Sequence, residues 1–229
     1  MAREVVLVAV AVLLYSLVRG LTDNRVDLAF GNADRVISLE RDLGIFVEPE
    51  LQAAVVGIPW AVHIANAIYI AYWPMVIGVA VWLLFARRTM FAMYRNALLI
   101  SGLFSLVLFA AFPLAPPRFV GGFVDTIAAE SDRYRSFNAS ALVNEYAAMP
   151  SMHFGWMLLA GIAISTLAAN RVVRAAGITM PVLMLWSIVV TGNHYILDAV
   201  AGGAIVLVGL GLARRARTRL GAELGGSHV

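Results

Sequence analysis

The chain contains no cysteine and no lysine, and it has few charged residues of any kind. All seventeen basic residues among its 229 are arginine, and Asp, Glu, Lys and Arg together make up 14% of the chain. The absence of cysteine excludes disulfides, thiolate metal sites and a thiol nucleophile. The absence of lysine excludes Schiff-base chemistry and any lysine contact to a phosphate. Catalysis would therefore depend on histidine, carboxylate, hydroxyl and arginine side chains.

Apolar residues fill most of the sequence. Hydrophobic residues make up 61% of the chain and its mean hydropathy is +0.83, against about 45–50% apolar residues in ordinary soluble domains. This composition predicts an all-α polytopic membrane helix bundle that forms a single integral-membrane domain over residues 1–229. The net charge of +3 does not indicate nucleic-acid binding, because the arginines cluster at the ends of apolar runs, where membrane topology explains them.

The apolar runs predict six transmembrane helices. About 20 residues span the hydrocarbon core of a bilayer. The long run at 51–86 is too long for one straight span, so we expect one tilted or Pro74-kinked crossing preceded by a partly embedded segment. The predicted crossings cover residues 5–18, 66–86, 96–112, 153–170, 175–190 and 194–213. Seven crossings, with the N-terminus outside, is the alternative.

Arginine clusters at one set of helix ends predict the orientation. Cytoplasmic loops carry an excess of basic residues, so the clusters at 87–95, 171–174 and 214–219 should be cytoplasmic. The tail at 214–229 is then a short cytoplasmic extension with fraying ends. The catalytic core at 96–213 presents its opposite helix ends to the extracytoplasmic side.

The most charged part of the chain lies between residues 19 and 50. Within it, residues 34–44 place apolar side chains at helical spacing and finish at Gly44, a typical helix C-cap. Residues 1–50 therefore predict one span followed by an amphipathic helix. This helix either lies on the membrane surface or is a solvated connecting helix, and the pattern does not separate the two.

Residues 191–198 carry the strongest chemical signal. His194 and Asp198 are four residues apart, so on a helix they share one face. A carboxylate there can accept the Nδ1–H of the imidazole and leave Nε2 free to attack. Asp198 lies in an otherwise uncharged apolar run, where a carboxylate costs roughly 2.5–3.5 kcal/mol. That cost favours a catalytic pair, and the alternative is a polar pair that packs helices together.

Two other segments place polar side chains at the ends of apolar runs. Ser151 is predicted to cap the fourth span, with His153 in the first turn, where the helix dipole attracts an anion. Arg118 follows a proline-rich exit from the third span, and its guanidinium fits phosphate oxygens. The plain alternatives are a capping serine beside an interfacial histidine, and an arginine that reaches the lipid headgroups.

The predicted topology brings these segments to one side of the membrane. With the arginine-rich loops inside, Arg118, Ser151, His153 and the 194–198 pair all lie outside. Two histidines, a carboxylate and an arginine suit phosphoryl transfer, in which one imidazole attacks phosphorus and the other protonates the leaving oxygen. Nothing in the extracytoplasmic loop at 120–148 indicates a specific site.

A polar stripe precedes the predicted Pro74 kink. His63, Asn66 and Tyr69 recur at three-residue spacing, which places them along one side of a helix. They either line the site or make hydrogen bonds between helices, and the second interpretation is favoured.

The segments resemble the three signature motifs of the type-2 phosphatidic acid phosphatase superfamily of membrane lipid phosphatases and phosphotransferases. Pro150-Ser151-Met152-His153 matches the second motif, and His194-x-x-x-Asp198 matches the end of the third. Arg118 is in the place of the first-motif arginine. The resemblance covers roughly residues 90–210, is weaker over 32–52, and is closer to the branch that includes inositol phosphorylceramide synthases.

The resemblance implies a role for each matching residue. His194 would be the nucleophile that forms a phosphohistidine, Asp198 would orient it, and His153 would be general acid and then general base. Arg118 would hold phosphate, helped by Ser151 and local backbone N–H groups. No metal or other cofactor is implied. The substrate would be a lipid phosphate or phospholipid of the cell membrane, with water or an alcohol as acceptor.

The sequence departs from the family pattern at two cationic positions. Ala111 stands where the first motif has a lysine, and Ile188 stands where the third has an arginine, although Ser187 before it matches. Either Asn193, Tyr195 and backbone groups replace the missing cations, or the substrate carries less charge. A less charged substrate favours transfer or hydrolysis of a diester headgroup over dephosphorylation of a monoester.

Four functions therefore remain open. The first is a lipid phosphatase, and the second is a phosphotransferase that moves a headgroup such as phosphoinositol onto an alcohol. The third is a metal-dependent membrane hydrolase with His153, His194 and Asp198 as ligands, although the chain lacks HExxH. The fourth is a non-enzymatic transporter, although the sequence shows no internal repeat. The first two are favoured and share the phosphohistidine.

Overall fold

The described part of the chain folds into helices joined by short turns. This computed structural model describes residues 25–130 and 145–225, together with Val10 and Leu13. In those residues the only strand-like pairing is an isolated bridge between Leu114 and Ala147, which confirms the all-α prediction for them. In chain order the elements are α1 (Val26–Asp42), α2 (Glu48–Val56), α3 (Pro59–Ile70), α4 (Tyr72–Ala86), α5 (Arg88–Ala111), a 3-10 turn (Pro117–Phe119), α6 (Thr126–Glu130), α7 (Met152–Leu167), α8 (Arg171–Val190) and α9 (Ile196–Gly225).

Three of the described helices are long and apolar enough to cross a membrane. They are α5, α8 and the Ile196–Arg219 part of α9, and the bent pair of α3 and α4 would make a fourth span if it counts as one. α7 is apolar but has only 16 residues. The predicted first span, 5–18, lies outside the described residues except for Val10 and Leu13. The predicted number of six crossings is therefore not confirmed.

A bend of 46° separates α3 from α4. Ala71 alone lies between the two helices. Pro74 explains this position, because proline has no N–H to donate to the carbonyl of Ile70 and its ring clashes with that carbonyl. The bend agrees with the predicted kink, and it puts Tyr69 and Tyr72 on either side of the junction.

α7 packs closely on α8 and α9. A Cβ on Gly155 of α7 would lie 2.7 Å from the carbonyl oxygen of Gly202 on α9, and a Cβ on Gly202 would overlap the Ser151 carbonyl. Small residues of this kind let membrane helices approach backbone to backbone. The start of α7 is therefore held against the first turns of α9, and the Ser151 N–H donates to the Asp198 carbonyl oxygen at 2.8 Å.

α1 has a buried stripe along one side. The stripe packs on a cluster that includes Leu114, Ala115 and Tyr195, and Asn32 donates to the Pro113 carbonyl oxygen at 2.8 Å. The helix starts earlier than the predicted 34–44 segment and is followed by Gly44 at φ +69°, the left-handed conformation expected of a C-terminal glycine. The protein itself covers this stripe, which neither interpretation of the sequence foresaw.

α9 extends beyond the end of the predicted span at 213. It runs without interruption to Gly225, so most of the predicted tail at 214–229 is helical. Arginine, alanine and leucine are strong helix formers and dominate residues 213–222, which explains why the helix does not end where the apolar run does.

Candidate active site

His194 lies in a tight turn between α8 and α9. Gly192 makes the turn possible, because it adopts φ +70°, a conformation that favours glycine. α9 begins only at Ile196, so His194 precedes the helix that it was predicted to share with Asp198. The aspartate reaches back from the first turn of α9, and its Oδ2 lies 3.3 Å from His194 Nδ1. The predicted pairing is therefore present, on a helix end and not on a helix face.

His153 faces His194 across the start of α7. Its Nδ1 lies 3.4 Å from His194 Nε2, and the two ring centroids are 5.4 Å apart. His194 is 5% exposed, whereas His153 is half-buried. Asp198, His194 and His153 thus form a chain of contacts, which we call the relay. Asp198 Oδ2 contacts His194 Nδ1, and His194 Nε2 contacts the ring of His153.

Two tyrosines from the bent helix pair hold the His153 ring. Tyr69, near the end of α3, stacks on it with centroids 4.3 Å apart and planes at 21°. Tyr72, at the start of α4, contacts it at 4.5 Å with planes at 45°. The sequence had placed Tyr69 in the polar stripe but had not assigned it to this ring. Tyr72 was not singled out at all.

The other members of the polar stripe have different roles. The Asn66 side chain donates to the Thr126 carbonyl oxygen at 3.0 Å and accepts from the Thr126 hydroxyl at 2.8 Å. This pair ties α3 to α6, as the favoured interpretation of the stripe predicts for one of its members. His63 is exposed.

Arg118 reaches the histidine turn from the 3-10 turn. Its backbone N–H donates to the Gly192 carbonyl oxygen at 2.7 Å, and its Nη1 donates to Asn193 Oδ1 at 2.5 Å. Its Nε lies 3.3 Å from Asp125 Oδ2, and the Arg118 side chain is only 8% exposed. The structure therefore brings together Arg118 and Asn193, and it adds Asp125 from the loop in which no specific site was expected.

Ser151 caps α7, as predicted. Its Oγ accepts the Phe154 N–H at 3.4 Å, and the residue is fully buried. Ser151 precedes His153 by two residues, and its backbone N–H is bonded to the Asp198 carbonyl oxygen as described above. Its second predicted role, a contact to phosphate, remains a proposal.

Tyr195 does not join the other predicted phosphate ligands. Its side chain is 0% exposed and packs against α1 in the cluster that also contains Ala33 and Leu114. A phosphate cannot reach a ring that is enclosed in this way. The side chain of the adjacent His194 does not pack in this cluster, because consecutive residues in the turn direct their side chains to different surroundings.

Backbone N–H groups of the turn are already occupied. The five amides from residue 193 to residue 197 all donate to oxygens of the protein. The acceptors are the Ile188 carbonyl for Asn193 and His194 (3.0 and 3.1 Å), Asp198 for Tyr195 (3.0 Å), Glu48 for Ile196 (2.9 Å) and Glu40 for Leu197 (2.8 Å). The expectation that backbone groups here replace the missing cations is therefore not supported.

The residues that sequence reasoning missed come from α1 and α2. Glu40 and Glu48 accept the two amides just described, and Gln52 bonds Val190 and Val124 on either side of the Gly192 turn. All three lie in the 32–52 stretch in which the family resemblance is weaker. That weak similarity was the available signal, but no local pattern connects these residues to a turn about 150 residues away.

No metal centre is apparent in the described residues. No three His, Cys, Asp or Glu side chains among them are arranged as a metal-binding group. The hypothesis of a metal held by His153, His194 and Asp198 therefore gains no support from the geometry.

A comparison with protein families finds one match. The family model of the PAP2 superfamily matches residues 34–212. This match covers more than three quarters of the chain and includes every site residue described above. No curated protein and no solved structure matches the chain significantly.

Proposed function

Because the chain belongs to the PAP2 superfamily, we propose that it transfers a phosphoryl group of a membrane lipid through a phosphohistidine at His194. Membership supports phosphatase-type phosphoryl transfer in general, and the apolar helices fit an integral membrane protein. The observation that carries the mechanism is the relay from Asp198 through His194 to His153.

In the first step, His194 Nε2 attacks phosphorus and the bond from phosphorus to the leaving oxygen breaks. Asp198 accepts the Nδ1–H, which keeps the Nε2 lone pair available and stabilises the positive charge that develops on the ring. His153 donates a proton to the departing alkoxide. The products are an alcohol and a phosphoryl group bonded to His194.

In the second step, His153 reverses its role. It takes a proton from water or from an alcohol acceptor, whose oxygen attacks phosphorus and breaks the bond to His194 Nε2. Water gives free phosphate or a phosphorylated headgroup, and an alcohol gives a transferred headgroup. Both routes require no metal.

The relay must open before phosphorus can bind. Nitrogens 3.4 Å apart leave no room for a phosphoryl group between them, so the rings have to separate when substrate enters. His194 is almost completely buried beside Asp198, whereas His153 is half-buried against the rings of Tyr69 and Tyr72. We expect His153 to move and His194 to stay.

Arg118 is the proposed phosphate-binding cation. Its guanidinium can hold equatorial oxygens of the transferring group, and Asn193 orients it through the 2.5 Å hydrogen bond. Ser151 is close enough to the relay to contribute a hydroxyl. Tyr195 has no part in this proposal, because its side chain is enclosed elsewhere.

The shortage of positive charge favours a phosphodiester substrate over a monoester. Ala111 and Ile188 replace two expected cations, the turn offers no amide, and Asp125 offsets part of the charge on Arg118. A monoester carries up to two negative charges near neutral pH, and a diester carries one. Transfer of a diester headgroup, as in enzymes of the inositol phosphorylceramide synthase type, is therefore the second candidate function.

The arrangement of α7 supports an extracytoplasmic site. His153 lies in its first turn, and at its other end Arg87 donates to the Leu167 carbonyl oxygen and Arg174 to the Ser165 carbonyl oxygen. These arginine ends should be cytoplasmic. The site then faces away from the cytoplasm, while the arginine-rich end of α9 faces it.

The test compares lipid monoesters with lipid diesters in the presence of a chelator. Purified protein is incubated with headgroup-labelled lipids, with and without an alcohol acceptor, and acid-labile label on the protein is measured. We expect label on wild-type protein and at least a ~10⁴-fold loss of turnover in His194→Ala, whereas His63→Ala, which removes an exposed histidine, behaves as wild type. Full activity in His194→Ala, or activity abolished by the chelator, would overturn the proposal.

A further inference from the structure

Two buried glutamates hold the first turn of α9. Glu48 Oε1 accepts the Ile196 N–H at 2.9 Å, and Glu40 Oε1 accepts the Leu197 N–H at 2.8 Å. Both glutamates are 0% exposed. They come from α2 and α1, so side chains of two separate helices take up successive amides of a third. We call this pair the glutamate clamp.

We propose that the glutamate clamp is a positioning device for the nucleophile: Glu40 and Glu48 fix the start of α9 and thereby the direction in which His194 Nε2 points. The proposal rests on the role of His194 proposed above. Neither glutamate touches the reacting atoms, and both act through the backbone that carries His194 and Asp198.

The two hydrogen bonds of the clamp continue a series that begins at the Tyr195 N–H. The Tyr195 N–H donates to Asp198 Oδ2 at 3.0 Å, and the next two amides donate to the clamp. The backbone between His194 and Asp198 is thus fixed at every amide, and Asp198 Oδ2 is left facing both Tyr195 N and His194 Nδ1. Misplacement of a reacting group by about 1 Å can cost about 10²-fold in rate.

The two carboxyl groups of the clamp are placed so that they can share one proton. Glu40 and Glu48 lie within hydrogen-bonding reach of each other, and Glu40 Oε2 and Glu48 Oε2 are buried with no other partner. Two adjacent carboxylates that are removed from water do not both ionise readily. One proton between them satisfies both outer oxygens and leaves one negative charge, which the positive end of the α9 dipole stabilises.

Burial, helped by the hydrogen bond and charge of Glu48 and by the charge of Asp198, raises the pKa of Glu40 from 4.5 to about 8, against the lowering effect of the Leu197 N–H. The ionisable groups that face Glu40 are therefore Glu48 and Asp198, with Tyr195 close by. Because the folded protein holds this proton more tightly than the unfolded chain, its stabilising effect is complete below about pH 4.5. The effect is lost as the pH rises through about 8.

The Glu40→Gln substitution separates the effect of the clamp's hydrogen-bond geometry from the effect of its proton. In Glu40→Gln the amide oxygen can still accept the Leu197 N–H and the NH₂ group can donate to Glu48, but nothing titrates. In Glu40→Ala and Glu48→Ala an amide of α9 loses its acceptor. Asp42→Ala and Glu50→Ala remove exposed carboxylates from the same regions and serve as matched controls.

The kinetic test measures kcat, KM and the rate of phosphohistidine formation across pH 6–9. We expect each alanine variant of the clamp to lower kcat about 10²-fold with KM changed less than about threefold, and both controls to match wild type. Glu40→Gln should retain kcat near pH 7 and lose the decline that wild type shows above pH 8. Wild-type kcat in folded alanine variants, or a Glu40→Gln variant with an unchanged alkaline decline, would overturn the proposal.

A second measurement does not depend on turnover. ¹⁵N-histidine NMR of the full-length protein in detergent reports the tautomer of His194, assigned by the signal lost in His194→Ala. We expect a single Nδ1–H tautomer in wild type and in Glu40→Gln, and a mixture in Glu48→Ala, with the His63 signal unchanged. An unaltered His194 signal in Glu48→Ala would refute the clamp even if no phosphohistidine ever formed, whereas missing phosphohistidine with the expected signals would refute only the proposed function.

Discussion

The two histidines of the site are held in different ways. His194 is almost completely buried and lies between Asp198 Oδ2 and a backbone that is hydrogen-bonded at every amide from 193 to 197. His153 is half-buried, stacks on Tyr69 and contacts the tilted ring of Tyr72. Hydrogen bonds to charged groups fix a direction in space, whereas ring stacking restrains a plane and permits sliding within it.

This difference matches the work that each ring would do. A nucleophile needs one tautomer and one direction of attack, and a carboxylate at Nδ1 supplies both. A proton carrier that serves a leaving group and then an acceptor has to follow two oxygens. Support of His194 by a carboxylate and of His153 by aromatic rings therefore fits a two-step transfer.

The largest effect should come from Asp198→Asn. The asparagine oxygen would take the place of Oδ2, because that atom accepts the Tyr195 N–H as well as facing His194 Nδ1. The substitution therefore removes the negative charge that stabilises positive charge on the attacking ring. We expect phosphohistidine formation to fall about 10³–10⁴-fold, by analogy with the same substitution in a serine protease triad. Single-turnover labelling measures this rate. A loss smaller than tenfold would show that the charge on Asp198 does not support the attack.

A smaller and more selective effect is expected from His153→Ala. Without the general acid, a lipid with a simple alkoxide leaving group should react about 10²–10⁴-fold more slowly. In the first step, an analogue with a nitrophenol leaving group, which needs no proton, should release nitrophenolate at a rate close to that of wild type. Measurements with both substrates give the loss of rate in His153→Ala for each leaving group. Equal losses with both would mean that His153 supports the site and does not donate a proton.

The smallest effect is expected from Tyr69→Leu. Loss of one stacking contact is worth about 0.5–1.5 kcal/mol, so kcat for the alkoxide substrate should fall about 2- to 10-fold. The first-step release of nitrophenolate from the analogue should not change. Tyr94→Leu removes a tyrosine that is buried at 5% exposure near Thr166, and it serves as the control for loss of a core ring. Similar kinetics in the two variants would contradict a specific role for Tyr69.

Short-range patterns in the sequence singled out side chains that lie together in the structure, and the chemical roles assigned to them stay predictions. The four-residue spacing of His194 and Asp198, the Ser151 cap before His153 and the proline-rich segment at Arg118 each identified a side chain that the structure brings to one place. Spacing could not show that His194 precedes its helix, because the boundary depends on the Gly192 turn.

The supporting residues were beyond reach of such patterns. Tyr195 was assigned to the phosphate because it adjoins His194, yet its side chain packs against α1. Glu40 and Glu48 lie in a charged segment that predicts an ordinary amphipathic helix, and only tertiary contacts reveal their partners. Pro74 predicted the bend in the second apolar run, but the total number of crossings depends on residues outside the described part of the chain.

The glutamate clamp joins side chains and amides that are 148 and 157 positions apart. During synthesis the two glutamates of the clamp emerge early, and the amides that they bind emerge only with α9. A nascent or truncated chain that lacks α9 therefore cannot complete the arrangement. The proposed chemistry would therefore begin only after α9 has been made and inserted.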